Sequence, residues 1–134
     1  MSKPNTRKPD PRRTAHPGIR TKIYVQNDMI GSGKIDLLRA IRDEGSITRG
    51  AARMGMSYRR AWFLLDTIQR CFSEPLLRTQ RGGTNSGARL TPLGEELIRR
   101  YDAHIATVEA ASAEFLDWLE GHQADEAETP AESA

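Results

Sequence analysis

The sequence predicts a mainly α-helical domain with a small β component, and three observations support this. Apolar residues recur at helical spacing in three short segments in the middle of the chain. A Gly-rich stretch separates two short strand-like runs within residues 76–90, which predicts a β-hairpin. Thr91-Pro92 opens a long amphipathic segment, and this pair suits the start of a helix because threonine caps well and proline is favoured at the first helical position.

Charge is distributed unevenly along the 134 residues, although the formal net charge is only +2. Residues 1–22 carry seven basic and one acidic side chain, residues 45–90 carry eight arginines and two acids, and residues 91–134 carry two arginines and eleven acids. The Pro-rich basic arm 1–18 and the acidic tail 120–134 show no apolar pattern and are predicted to be disordered. A basic segment in the middle of the chain is typical of a phosphate-binding surface, and a solvated arginine face is the alternative.

The cysteine content and the hydropathy of the sequence indicate in which cellular compartment the protein works. The single Cys71 excludes an internal disulfide and fits a reducing environment. No apolar run approaches the roughly 18–20 residues that a membrane span needs, and no secretory signal pattern is present at the N-terminus. We therefore expect a cytoplasmic protein without a membrane partner.

The first part of the folded region, residues 19–44, is predicted to hold one strand and one helix. Residues 19–27 contain one apolar run and are predicted to form a single short strand, followed by a turn at 28–33. Helical spacing of apolar residues predicts the first helix over 34–44. Gly45 suits the left-handed C-cap that ends it.

Two short helices follow across a tight turn. Ser46 and Ser57 are good N-caps for them, because a serine hydroxyl can accept from a free first-turn N–H. The small residues Ala51 and Ala52 would let a neighbouring helix cross closely. The predicted core positions of the third helix are Ala61, Leu65, Ile68 and Phe72, and Trp62 and Phe63 are also expected in the core rather than against bases.

This order of elements predicts a winged helix-turn-helix over residues 19–119, with an N-terminal strand, a β-hairpin wing and a long C-terminal helix. In such folds the N-terminal residues of the recognition helix enter the major groove of double-stranded DNA. Arginine can bind guanine or phosphate, and the sequence leaves open which arginine does which. The candidate DNA-binding residues are Ser46, Thr48, Ser57, Tyr58, Arg59 and Arg60 of the helices and Arg78, Arg81, Gly82, Gly83 and Thr84 of the wing.

The final helix, at about 91–119, carries a heptad seam with one polar break, which predicts a homodimer. The alternative is that this stripe packs back onto its own domain. The candidate dimer-interface residues are Tyr101, Ile105, Val108, Ser112, Phe115 and Leu119.

No pattern indicates catalysis or metal binding. The run Gly31-Ser32-Gly33-Lys34 lacks the spacing and the following hydroxyl of a phosphate-binding loop, and is interpreted as a turn leading into a helix. His16, His104 and His122 have no partner at metal-ligand spacing. No nucleophile–base pair is visible, so we expect no catalytic residue, no metal, no cofactor and no enzymatic activity.

The run from Ile35 to Leu97 resembles the N-terminal winged helix-turn-helix of the molybdate-responsive ModE transcriptional regulators, which is LysR-type in its helix arrangement. The Ser57-Tyr58-Arg59 run with Ala61-Trp62 is the strongest single match. The other matching residues are Leu38-Arg39-Ala40-Ile41, Gly45-Ser46-Ile47, Ala51-Ala52, Met56, Glu74-Pro75-Leu76, Gly82-Gly83, Gly87-Ala88 and Leu90-Thr91-Pro92-Leu93-Gly94.

The resemblance implies a homodimer that binds a palindromic operator and regulates molybdenum-related genes. It places the DNA contacts on Ser57, Tyr58, Arg59 and the wing. Members that sense molybdate carry C-terminal oxyanion-binding domains, and this sequence ends about fifteen residues after its fourth predicted helix. DNA binding is therefore expected to carry over, whereas molybdate binding is not supported.

Two alternatives to a sequence-specific regulator stay open. A winged helix can serve as a protein-interaction module, in which case the acidic fourth helix and tail would be the working surface. The basic arm could instead support a non-specific architectural DNA binder.

Overall fold

The computed structural model describes residues 16–80 and 87–124, and its fold is mainly α with two small antiparallel hairpins. This confirms the predicted winged-helix-like fold class. The elements are β1 (Ile23–Val25), β2 (Asp28–Ile30), α1 (Ser32–Glu44), α2 (Ile47–Arg53), α3 (Tyr58–Gln69), β3 (Leu77–Gln80), β4 (Gly87–Leu90) and α4 (Pro92–His122).

Residues 20–106 form one compact unit around a hydrophobic core. The core is built from the inward faces of α1 and α3 and from the segment before β3. Each large side chain that is fully buried contributes roughly 1.5–3 kcal/mol. The largest fully buried side chains are Ile35, Leu37, Leu38, Ile41, Ile68 and Leu76.

The packing of α2 against α1 depends on two glycines. Gly45 adopts the predicted left-handed conformation, with φ at 69°, and its N–H donates to the Ile41 carbonyl at 2.8 Å. Gly50 lies against α1, where an added Cβ would stand 2.7 Å from Ile41 Cγ1. Gly50 therefore permits the close crossing that we assigned to Ala51 and Ala52. Ala51 is buried, whereas Ala52 is exposed, so the expectation for Ala52 is wrong.

The N-terminal region forms a β-hairpin rather than the single strand and turn predicted for residues 19–33. β1 pairs with β2 in antiparallel register. The connecting residues Gln26 and Asn27 have φ values of 50° and 64°. Positive φ at both central residues is typical of the tight turn that suits strand twist. The prediction failed because neither residue is glycine, which is the usual signal for such a turn.

Two side chains join this hairpin to the helices. Lys34 is 8% exposed and its Nζ donates to the Met29 carbonyl at 2.6 Å. Its ammonium is therefore directed at β2, as expected for a helix start rather than a phosphate loop. The Cys71 thiol lies 3.4 Å from the Val25 carbonyl, and burial raises the pKa of this thiol.

Helix α4 begins with the predicted Thr91 cap. Thr91 Oγ1 accepts from the Gly94 N–H at 3.1 Å and donates to the Pro75 carbonyl at 2.7 Å. This pair of bonds joins the start of α4 to the segment that precedes β3. The helix continues to His122, beyond the predicted end at Leu119.

Residues 16–19 and 107–124 belong to a second compact unit. Its aromatic side chains are exposed and stack along the helix. The ring centroids of Phe115 and Trp118 are 6.3 Å apart, and those of Trp118 and His122 are 4.7 Å apart. His16 Nδ1 lies 2.8 Å from Glu120 Oε1.

Most of the predicted tails, residues 1–15 and 125–134, lie outside the described residues. Across 16–80 and 87–124, every helix is either too short or too polar to cross a membrane.

Candidate nucleic-acid interface

Two serine caps fix where α2 and α3 begin. Ser46 Oγ accepts from the Arg49 backbone N–H at 3.2 Å, and Ser57 Oγ accepts from the Arg60 N–H at 3.0 Å. Both predicted caps are confirmed. Because α3 begins at Tyr58, its exposed first turn consists of three polar side chains in a row. Loss of such a cap typically costs about 1 kcal/mol.

The first turn of α3 is exposed to solvent in this structure. Ser57, Tyr58, Arg59 and Arg60 are all exposed, and Tyr58 retains 53% of its accessible surface. The Tyr58 ring meets Trp62 edge to face at 6.1 Å. This contact packs the Tyr58 ring against Trp62, while more than half of the accessible surface of Tyr58 stays exposed.

Phe63 and Trp62 do not lie in the core, contrary to the sequence-based expectation. Phe63 is 55% exposed and Trp62 is 36% exposed. The buried side of α3 is narrower than predicted, because its buried residues are Ala61, Leu65, Thr67 and Ile68. The Arg60 guanidinium carbon lies 5.4 Å from the centroid of the Phe63 ring, a cation–π distance.

The wing is formed by β3 and β4 and lies against the turn between α1 and α2. The Ala88 N–H donates to the Gly45 carbonyl at 2.9 Å. An added Cβ at Gly87 would stand 2.8 Å from the same carbonyl oxygen, so the close approach requires glycine there. The wing is thereby positioned beside the helix-turn-helix.

Three predicted parts of the site meet at one concavity of about 270 Å³, lined by the start of α2, the first turn of α3 and the wing. Ser46, Thr48 and Tyr58 are among its lining residues. A neighbouring concavity of about 310 Å³ is lined on the wing by Arg78 and Arg89. Of the predicted contacts, Ser46, Thr48 and Tyr58 thus border one concavity and Arg78 borders the next. The other predicted contacts on α3, which are Ser57, Arg59 and Arg60, line neither of these two concavities.

Arg89 is a candidate that the sequence reasoning missed. It is the cross-strand partner of Arg78 in the wing, and both side chains are exposed. Like charges directly opposite each other destabilise a hairpin unless an anion neutralises them. The pairing register of β3 with β4 places Arg89 directly opposite Arg78. The sequence would have indicated Arg89 if this register had been predicted.

The arginines of this surface lack acidic partners. Within 16–80 and 87–124, no carboxylate lies within 4 Å of the guanidinium groups of Arg59, Arg60, Arg78 or Arg89. Their positive charge therefore stays available to an external anion.

Arginines on α1 are held differently. Nη1 and Nη2 of Arg39 both donate to the carboxylate of Asp102, and the distance from Nη1 to Oδ2 is 2.7 Å. This hydrogen bonding lowers the pKa of Asp102. Arg42 lies 3.1 Å from Asp43, and its hydrogen bond likewise lowers the pKa of that carboxyl.

The remaining predicted site residues fall in different places. Arg81, Gly82, Gly83 and Thr84 lie outside the described residues. Among the dimer candidates, Tyr101 is buried in the core of its own domain and burial raises its pKa. The others are Ile105, Val108, Ser112 and Leu119, which are half-buried, and Phe115, which is exposed.

In the part of the chain that the structure describes, no group of three or more His, Cys, Asp or Glu side chains is arranged to hold a metal ion. The candidate site consists of hydroxyl, phenol and guanidinium groups. Such groups bind phosphates and base edges.

Comparison with known proteins identifies relatives that match half or more of the chain. No family model matches the chain. It is 37% identical over 93 residues to the molybdenum-pterin-binding protein MopA of Rhodobacter capsulatus, covering 69% of this chain and 34% of that protein. It is 37% identical over 84 residues to the transcriptional regulator ModE of Yersinia pestis, covering 62% and 32%.

The DNA-binding transcriptional dual regulator ModE of Escherichia coli K12 is 37% identical over 70 residues, covering 52% of this chain and 27% of that regulator. The chain thus spans about a third of the length of the curated relatives that it matches. None of these three names describes an enzyme. The chain is similar to molybdenum-related regulators over about half or more of its length.

Proposed function

We propose that this chain binds double-stranded DNA as a sequence-specific transcriptional regulator, with α3 in the major groove and the wing along the backbone. The observation that carries the proposal is the set of four arginines without acidic partners, on the first turn of α3 and on the wing. The similarity to proteins named as ModE regulators supports it, and supports molybdenum-related genes as targets.

The four arginines have different roles in this proposal. Arg59 and Arg60 lie on the first turn of α3, which is the part of a recognition helix that reaches base edges. Arg78 and Arg89 face each other across a two-stranded ribbon, where one phosphate between them would relieve their repulsion. The helix arginines therefore contribute to sequence preference, and the wing arginines contribute to affinity and its salt dependence.

The test compares two pairs of adjacent arginines. The full chain selects duplexes from a random-sequence library, and affinities for the selected and a scrambled duplex are measured over a salt series. We expect Arg59→Ala/Arg60→Ala to reduce affinity for the selected duplex by at least tenfold, at about 1–3 kcal/mol per base contact. The matched control is Arg99→Ala/Arg100→Ala, because both of these arginines already pair with Glu96.

Unchanged affinity of the Arg59→Ala/Arg60→Ala variant would contradict the placement of α3 in the groove. Equal affinity of the wild-type chain for selected and scrambled duplexes would instead favour a non-specific architectural DNA binder.

We also propose that the chain is a homodimer through α4 from Val108 onward. Val108, Ser112 and Leu119 share one face at spacings of four and seven residues, and the adjacent Phe115 and Trp118 are 62% and 57% exposed. Large exposed aromatic side chains are typical of interface anchors.

Sedimentation analysis tests the dimer. We expect Val108→Glu to give monomers, because it buries a charge in the seam. Ala110→Glu is the matched control, since Ala110 lies on the opposite side of the helix by its spacing and is exposed. A dimeric Val108→Glu variant would exclude this seam.

A further inference from the structure

The outward face of α3 carries an apolar group that the phosphate-binding argument does not use. Arg59, Phe63 and Asp66 recur at spacings of four and three residues and are all exposed. Phe63 stands between an arginine and a carboxylate, in the middle of this face. The phenyl ring contributes little to folding there, because more than half of its surface stays in water.

Asp66 indicates whether the outward face of α3 would contact the phosphates or the base edges of DNA. Its carboxylate has no ion-pair partner in the described ranges, so it would repel a phosphate brought close to it. A carboxylate can accept from the amino group of cytosine, and a phenyl ring can contact the C5-methyl group of thymine. The centre of the face therefore suits base edges and not the backbone.

Arg60 and Phe63 form one preassembled unit. The guanidinium carbon lies 5.4 Å from the ring centroid, a cation–π distance, and a guanidinium presents its N–H donors along its edges. Those edges are what a bidentate contact to guanine O6 and N7 requires. The short separation fits two neighbouring base pairs, which are about 3.4 Å apart along the helix axis.

We propose that Phe63 and Arg60 recognise a thymine next to a guanine in the major groove. The Phe63 ring contacts the thymine methyl group, and the Arg60 guanidinium donates to O6 and N7 of the neighbouring guanine. This inference rests on the proposed function. It assigns to Arg60 a base contact that the sequence left open between base and phosphate, and it adds Phe63 as a specificity-determining residue.

The first experiment removes single methyl groups from the DNA. Each thymine of the duplex that the full chain selects is replaced in turn by deoxyuridine, which keeps base pairing and lacks only the C5-methyl group. For the wild-type chain, one thymine adjacent to a guanine should show a loss of about fourfold, equivalent to about 0.8 kcal/mol for one buried methyl group. Phe63→Ala should bind the thymine and deoxyuridine duplexes equally.

Tyr24→Ala is the matched control, because Tyr24 is an exposed aromatic residue of β1, outside both α3 and the proposed dimer seam. This variant should keep the methyl sensitivity of the wild-type chain. Thermal unfolding of both variants should match that of the wild-type chain, since neither ring is buried.

The second experiment changes the neighbouring guanine to 7-deazaguanine, which removes the N7 acceptor and keeps base pairing. Wild-type affinity should fall by roughly threefold or more. Arg60→Ala should be insensitive to this change, and Arg59→Ala should stay sensitive.

The outcomes separate this inference from the proposed function. If no deoxyuridine position weakens wild-type binding, or if the loss persists in Phe63→Ala, the inference fails while sequence-specific binding stands. If the wild-type chain does not distinguish the selected duplex from a scrambled one, the proposed function fails together with the inference.

Discussion

Arginines on two regions of the 20–106 unit are held in opposite ways. On α1, Arg39 donates to the carboxylate of Asp102, and Arg42 Nη1 lies 3.6 Å from Glu95 Oε2. These two ion pairs connect α1 to α4. On the first turn of α3 and on the wing, the described residues supply no carboxylate within reach of Arg59 or Arg78. A count of arginines therefore does not distinguish those that the fold pairs with carboxylates from those that could bind an external anion. The proposed function rests on the second group.

Close packing between α1 and α2 supports both regions, and disturbing it should have the largest effect on the fold. We predict that Gly50→Ala destabilises the protein by about 1–3 kcal/mol, because its Cβ would meet Ile41 side-chain and backbone atoms at 2.7–3.0 Å. At roughly 4–8 °C per kcal/mol, the melting temperature should fall clearly. Thermal unfolding followed by circular dichroism measures this.

Gly33→Ala is the matched control for Gly50→Ala. Gly33 lies in the first turn of α1 with open space where a Cβ would be added. Alanine there should stabilise the helix by about 0.5–1 kcal/mol. A Gly50→Ala variant as stable as Gly33→Ala would show that α2 can move away from α1 without cost.

A substitution in the wing can give one of its two facing arginines an acidic partner. We predict that Arg78→Glu stabilises the hairpin by about 0.2–1 kcal/mol, because Glu at position 78 would face Arg89 across the strands. The same change should weaken DNA binding by about tenfold and reduce the slope of log affinity against log salt by about 1, since the one phosphate held between Arg78 and Arg89 is lost. Fluorescence anisotropy over a salt series measures both quantities.

Arg100→Glu is a suitable comparison for Arg78→Glu, because Arg100 lies 2.7 Å from Glu96 on α4 and is a paired arginine. It makes the same change in net charge, so it reports the effect of charge alone on binding. Should both variants lose affinity equally, the wing would have no special part in phosphate contact.

Sequence periodicity predicted the helices and the second hairpin well, because their signals are local. The caps at Ser46, Ser57 and Thr91 and the left-handed Gly45 each depend on a few adjacent residues. The first hairpin was missed for the same reason. Its turn at Gln26-Asn27 has positive φ values without a glycine. Its two short strands are also stabilised by pairing with each other, which the local sequence of each strand does not reveal.

The sequence predicted which residue types form the candidate site. It did not predict the exposure of Phe63 or which arginines form ion pairs. Phe63 was assigned to the core because large aromatic side chains usually are buried, and only the packing of Ala61 and Leu65 shows that the inward face of α3 is already filled. Likewise, which arginines are paired depends on contacts such as Arg39 with Asp102, which are 63 residues apart in the chain. Long-range pairs of this kind are not encoded in local spacing.

The paired region gives the smallest predicted effect, and its sign follows from the lowered pKa of Asp102. Because Arg39 stabilises the ionised carboxylate in the folded state, the unfolded chain takes up this proton first as the pH falls. The stabilisation is therefore complete above the ordinary value of 3.8 and is lost as the pH falls through the lower folded-state pKa.

We predict that Asp102→Asn lowers the free energy of unfolding by up to about 1 kcal/mol at neutral pH, since half of the carboxyl side chain is exposed, and does not change it in strong acid. Urea unfolding at both pH values measures this, with Asp117→Asn as the control because the described residues give Asp117 no ion-pair partner. A loss for Asp102→Asn that persists in acid would mean that shape and not charge accounts for the contribution of Asp102, and the contrast between paired and unpaired arginines would lose its energetic basis.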